Sequence, residues 1–150
     1  MSVMTEGSFN DLVTVVEQVA PQAITAGATG VLTGAIDMRN YRKVIGIYLS
    51  GTLGTSGTAD FGATASATSG GTYAALGSAK NATQLAKATG DNKIVIVEVE
   101  QEDLLPTQRY VKFTAKAGTA NSTSAVIVLG IPANRAEAPL LNNAAVVETI

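Results

Sequence analysis

Between Lys93 and Lys116 the chain reads KIVIVEVEQEDLLPTQRYVKFTAK, two stretches in which the side chains alternate, joined by a short acidic connection containing a proline. In the first, Val95, Val97 and Val99 alternate with Ile94, Ile96, Glu98 and Glu100. In the second, Arg109, Val111, Phe113 and Ala115 alternate with Tyr110, Lys112, Thr114 and Lys116. A period of two belongs to β-strands, whose successive Cβ atoms point to opposite faces of a sheet. Strands need ladder partners, and the remaining sequence supplies them as short segments divided by Gly, Ser, Thr and Asn. These are Ala23–Thr25, Val31–Asp37, Val44–Leu49, Ala59–Thr68, Thr72–Leu76 and Ser124–Ile131. From Gln22 onward they read as a β-meander. Ile45, Ile47 and Leu49 back onto Val44, Gly46 and Tyr48, and Ala125, Ile127, Leu129 and Ile131 back onto Val126 and Val128. Apolar cover on both faces predicts that these two strands are central. The fold expected is all-β, a single-domain β-sandwich or jelly roll with its core over 21–132.

The ends are less regular. In residues 1–20, Ser8 and Asp11 followed by Phe9, Leu12, Val13, Val16 and Val19 fit a short amphipathic helix. The β-branched run Val13-Thr14-Val15-Val16 favours extended structure, toward which the balance leans. Pro21 closes either version. Residues 133–150 carry Pro139, the pair Asn142–Asn143 and an apolar end. Both ends are expected to be arms, at 1–20 and 133–150, packing on a neighbouring chain or fraying. Ser50–Gly71, rich in small residues, predicts a mobile loop at 51–57 and then a weakly packed or edge strand. Lys80–Lys87 predicts one helical turn or a small loop.

At 150 residues the chain suits one domain. It has no cysteine and no histidine, which removes thiol chemistry, disulfides and the usual general base, and no enzyme activity or cofactor is expected. A formal charge of −2 with 15% charged residues provides no basic field for nucleic acid and no polybasic patch for a membrane. The longest apolar run, Ala125–Pro132, is far short of the ~20 residues a span needs. Glu6 and Asp11 argue against a targeting peptide. Proteins are the expected partners.

The remaining chemical motifs each have a structural reading. Ser78-Ala79-Lys80 is a weak Ser/Lys pair, better read as a solvated lysine. Glu98, Glu100, Glu102 and Asp103 gather oxygens that calcium could use, but the spacing fits no calcium loop, and glutamates at alternate positions suit a solvent-facing strand. Gly51, Gly54 and Gly57 have no helix after them to aim N–H groups at a phosphate. Arg39, Arg42 and Lys43, with Asp37 and Tyr41 nearby, form a small basic group. Arg109–Lys112 looks like the arginine-aromatic-valine strand of discoidin-like jelly rolls, and a carbohydrate-binding jelly-roll module is therefore an alternative, although the chain has no Trp for a sugar platform.

Taken in order, Ala20–Thr25, Ile36–Val44, a Gly/Ser/Thr-rich loop, Asp91-Asn92-Lys93 with its strand, Pro106–Lys112 and a last strand before an arm resemble small tailed-bacteriophage virion proteins encoded near the major capsid gene, the head decoration or cement proteins. The resemblance covers roughly residues 20–132 and its motifs are structural. It implies a jelly roll that binds and stabilises the outer capsid lattice, with the major capsid protein and its own copies, as a trimer, for partners. The location implied is the capsid exterior of the virion, assembled in the host cytoplasm. Interface residues are expected on the arms: Phe9, Leu12, Val15, Val16 and Val19, and Leu140, Leu141, Val146, Val147 and Ile150. One departure is that Ser50–Gly71 holds mostly small residues where a bulky aromatic or a Ser-Asp-Gly turn is expected. A neck or tail component is the second alternative.

Overall fold

A computed structural model describes residues 13–77 and 80–133 of the chain. Among the described residues, ten strands form two antiparallel sheets: β1 (Thr14–Ile24), β2 (Val31–Leu32), β3 (Ile36–Asp37), β4 (Tyr41–Leu53), β5 (Thr58–Ser66), β6 (Ala74–Ala75), β7 (Leu85–Ala86), β8 (Ile94–Glu100), β9 (Tyr110–Ala117) and β10 (Ser122–Pro132). One sheet has the order β1-β10-β4-β8, and the other runs β2-β9-β5-β6, with β3 also on β9 and β7 also on β5. The pairing is nested: first strand with last, β2 and β3 with β9, β4 with β8, β5 with β6 and β7. A long hairpin rolled over on itself pairs in this way, and the product is an all-β sandwich of jelly-roll form.

Most strand-to-strand connections therefore cross between layers, β5 to β6 being a direct hairpin, and the expected meander is corrected. β8 and β9 do not pair with each other, because the connection at 101–109 carries the chain across the sandwich, beginning with a 3-10 turn over Gln101–Asp103. β4 and β10 are central, as their two-sided apolar pattern predicts. The expected strand over Val31–Asp37 is broken at Thr33, whose Oγ1 accepts the Phe113 N–H at 3.0 Å while its own N–H donates to the Phe113 carbonyl.

Between the layers, Val44, Tyr48, Val99, Val111, Phe113, Val126 and Val128 are fully buried. Phe61 stacks on Tyr48 at 5.2 Å and on Phe113 at 5.8 Å. Ala59, Ala63 and Ala65 are buried beside it, so β5 is a well-packed inner strand and the expectation of a weak or edge strand there is overturned. Small side chains on β5 leave room for the three stacked rings. The loop expected at 51–57 is also shorter, since β4 runs to Leu53 before a tight turn in which the Gly57 N–H donates to the Gly54 carbonyl. One helical turn, α1 (Lys87–Gly90), closes this end of the four-stranded sheet. Ser50 Oγ donates to the Gly90 carbonyl at 2.5 Å, and Lys87 Nζ reaches both the Leu53 carbonyl and Asp91.

Candidate functional surface

The outward face of the four-stranded sheet is apolar. Cross-strand partners line up in rows: Ile94, Leu49 and Ala125; then Ile96, Ile47 and Ile127; then Glu98, Ile45, Leu129 and Val15. The pattern explains itself, because the inward positions Val97, Val99, Val44, Tyr48, Val126 and Val128 fill the core and every intervening residue must face away from it. Ile94, Ile96 and Ile127 are 64%, 58% and 39% exposed. Isolated exposed apolar residues are ordinary, but contiguous rows of them mark an interaction surface.

An ionic group borders this face. Lys43 sits between Glu98 at 2.9 Å and Glu100 at 2.7 Å, and these carboxylates, Glu100 first, hold its ammonium above the usual lysine range. Glu100 is held below the usual carboxylate range by Lys43. Asp103 pairs with Lys80 at 2.7 Å and accepts the Glu100 N–H. Burial pushes its carboxyl up, yet the Glu100 N–H and Lys80 outweigh that and leave it lowered. Three of the four carboxylates considered for calcium are thus joined to lysines. Among the described residues no group of three or more acidic, His or Cys side chains is arranged to hold a metal.

The other sequence candidates are likewise tied into the frame. Arg109 forks onto Asp37 through Nε and a terminal nitrogen, the Nε contact being 2.8 Å, and its hydrogen bond holds the Asp37 carboxyl below the ordinary range. Asp37 therefore belongs to the distant Arg109, while Arg39 reaches it through its backbone N–H. Tyr41 is buried, not interleaved on a basic surface. Arg109 also lies 5.0 Å from the Tyr110 ring centroid, and Lys112 lies 4.5 Å from that of Tyr73. A cleft lies between Met38, Arg39 and the Leu104–Arg109 loop, and in it Gln101 Nε2 donates to the Met38 carbonyl at 2.6 Å and Arg109 is held by Asp37. Gly51 is in β4, and Ser78 lies outside the described residues.

Of the expected interface residues, Val15, Val16 and Val19 are strand residues of β1, not part of an arm. Val19 is in the core, Val16 packs against it, and Val15 joins the outward rows. The β-branched run makes this segment extended, and Pro21 does not close it: the strand continues past the proline through a register shift between Val19 and Gln22. An edge strand with a bulge is where a ladder tolerates a missing N–H. Phe9, Leu12, Leu140, Leu141, Val146, Val147 and Ile150 lie outside the described residues. The exposed isoleucines of β8 were visible in the sequence as the alternate face of a strong strand, but with no signal that β4 beside it and β10 beyond would extend the same apolar rows.

No family model and no curated protein matches the chain. A solved structure described by the words "Bacillus endospore appendages form a novel family of disulfide-linked pili" is similar over 86% of this chain and 98% of its own, at 15% identity and a TM-score of 0.36.

Proposed function

We propose that this chain is a non-enzymatic structural protein of a tailed-bacteriophage virion, a decoration or cement protein that binds the outer capsid lattice and stabilises it as a trimer. The observation that carries this reading is the apolar outward face of the four-stranded sheet, bordered by charged side chains that pair with one another. Such a domain has a surface to cover and no convergent reactive groups among its described residues. A protein that binds only the assembled lattice stabilises it by mass action, and many copies acting together add avidity.

The experiment is to add the purified protein to capsids that lack it, pellet them, and image them by electron microscopy. Density spread over the outer capsid surface and a raised capsid melting temperature are expected, with binding reduced by Ile94→Ser combined with Ile96→Ser. Rings confined to the portal or tail would replace the reading with a neck or tail role. Oligosaccharide binding on a glycan array without capsid affinity would replace it with the carbohydrate module.

A further inference from the structure

We propose that the open edge of β8 is a self-association site, at which β8 pairs antiparallel with β8 of a second copy about a two-fold axis at Ile96. A two-fold contact closes on two copies. It is separate from the three-fold association of the decoration reading, and either stands or falls without the other.

The first support is the state of the edge. Ser50 and Lys93 form a hydrogen-bonded ladder pair, in which the Ser50 N–H donates to the Lys93 carbonyl at 2.8 Å. In an antiparallel ladder such pairs recur at every second residue. Val95, Val97 and Val99 therefore turn their N–H and C=O groups toward β4, and Ile94, Ile96, Glu98 and Glu100 turn theirs away. The Glu100 N–H fits this parity, since Asp103 takes it outside the ladder at 2.7 Å. The outward backbone groups of Ile94, Ile96 and Glu98 meet no partner among the described residues. An open edge is a template for another strand, and proteins blunt such edges with bulges, prolines or short strands. β1, at the opposite edge of this sheet, has two register shifts and Pro21, and β2 and β6, at the edges of the other sheet, are two residues long. β8 pairs with β4 along its whole length without a shift.

The second support is that this edge is complementary to itself. With Ile96 opposite Ile96 of the second copy, Ile94 pairs with Glu98 and Glu98 with Ile94, each pair exchanging both backbone bonds. On the core side Val95 meets Val97. On the outward side the row Ile127, Ile47, Ile96 continues into Ile96, Ile47, Ile127 of the second copy. No like charges stand opposite each other, and Lys93 comes opposite Val99 of the second copy, between its Glu98 and Glu100. Neighbouring registers are poorer. An axis at Glu98 would set two glutamates directly against each other, and an axis at Val97 would need the Glu100 N–H that Asp103 holds. The glutamates do not guard the edge either, because Lys43 on β4 draws both carboxylates back over the sheet.

A contact made by one short strand lies at the small end of protein interfaces, so the association is weak and reversible. Hydrogen–deuterium exchange of the isolated protein over about 1 to 100 μM, read by mass spectrometry in the peptide covering β8, tests it. The amides of Ile94, Ile96 and Glu98 should exchange about tenfold more slowly at the top of that range than at the bottom, roughly 90% paired. Ile96→Pro removes an outward N–H and no bond to β4, which an edge strand tolerates, and it should abolish the concentration dependence. Should that variant not fold, Ile96→Cys is the second, in a chain with no native cysteine. The two Cα atoms of such a pair are about 5.5 Å apart, within disulfide range, so it should cross-link into dimers on mild oxidation. Ile94→Cys, about 13 Å from its counterpart at ~3.3 Å per residue, should not. Fast exchange of the three amides at every concentration overturns the proposal. So does protection that is the same at every concentration, which would put another part of the same chain on the edge, and so does equal cross-linking of the two cysteines. No capsid enters these measurements, so they leave the decoration reading untouched whichever way they fall.

Discussion

Gly46 on β4 lies directly beneath the ring of Phe113 on β9, and a Cβ at position 46 would overlap that ring. The two layers of the sandwich meet here, backbone to aromatic, beside the stack of Phe61 on Phe113. Gly46→Ala should therefore destabilise the fold by about 1–3 kcal/mol, because added volume in a filled core forces side chains off their rotamers. Urea unfolding checks it. An unchanged midpoint would mean that the ring moves aside at no cost.

The hydroxyl of Tyr48 and Ser124 Oγ are 2.7 Å apart inside the core, where both residues are buried. Removing either partner strands the other, at about 1–3 kcal/mol. Tyr48→Phe and Ser124→Ala should each destabilise, while the double variant should cost less than their sum. Strict additivity in a double-mutant cycle would deny the bond any energetic role.

Stability should be flat with pH across neutrality and fall in acid. Histidine is absent, so no side chain with an ordinary pKa changes charge between about pH 5 and 8. Asp37, held down by the Arg109 hydrogen bond, Asp91 by Lys87, and Glu100 by Lys43 all have lowered carboxyls. A lowered acid contributes stability above its unfolded pKa, ordinarily 3.8 for Asp, and loses it as pH falls through the folded value. The urea midpoint should hold steady from pH 8 to about 5 and drop below about 4. Asp37→Asn should flatten part of that drop, and a curve of unchanged acid slope would remove Asp37 from the account.

How much of this was legible in the sequence depended on side-chain size. Val44–Leu49 and Ser124–Ile131 announced themselves as central strands because large apolar residues stood on both faces. β5 did not, since its inward positions are alanines around one Phe61, and alanine reads as filler until the ring it makes room for is known. Layer assignment was hidden for a different reason: alternation gives the faces of a strand but not its partner, so β8 and β9 looked like one unit while belonging to opposite sheets. The apolar outward rows share that origin. Ile94 and Ile96 could be seen to oppose the valines, but their alignment with Ile47 and Ile127 is a matter of register, which only the assembled sheet fixes.

The pairing of the first strand with the last also sets a timetable. Thr14 meets Gly130 and Ile24 meets Ser122, so on a ribosome β1 must wait, unpaired, until almost the whole jelly roll has emerged. The central ladder of β4 with β10 waits equally long. Closure of the four-stranded sheet thus waits until β10 has emerged and is slow because its contacts are distant in sequence, and until then the nascent chain holds valine-rich strands open to whatever else is in reach.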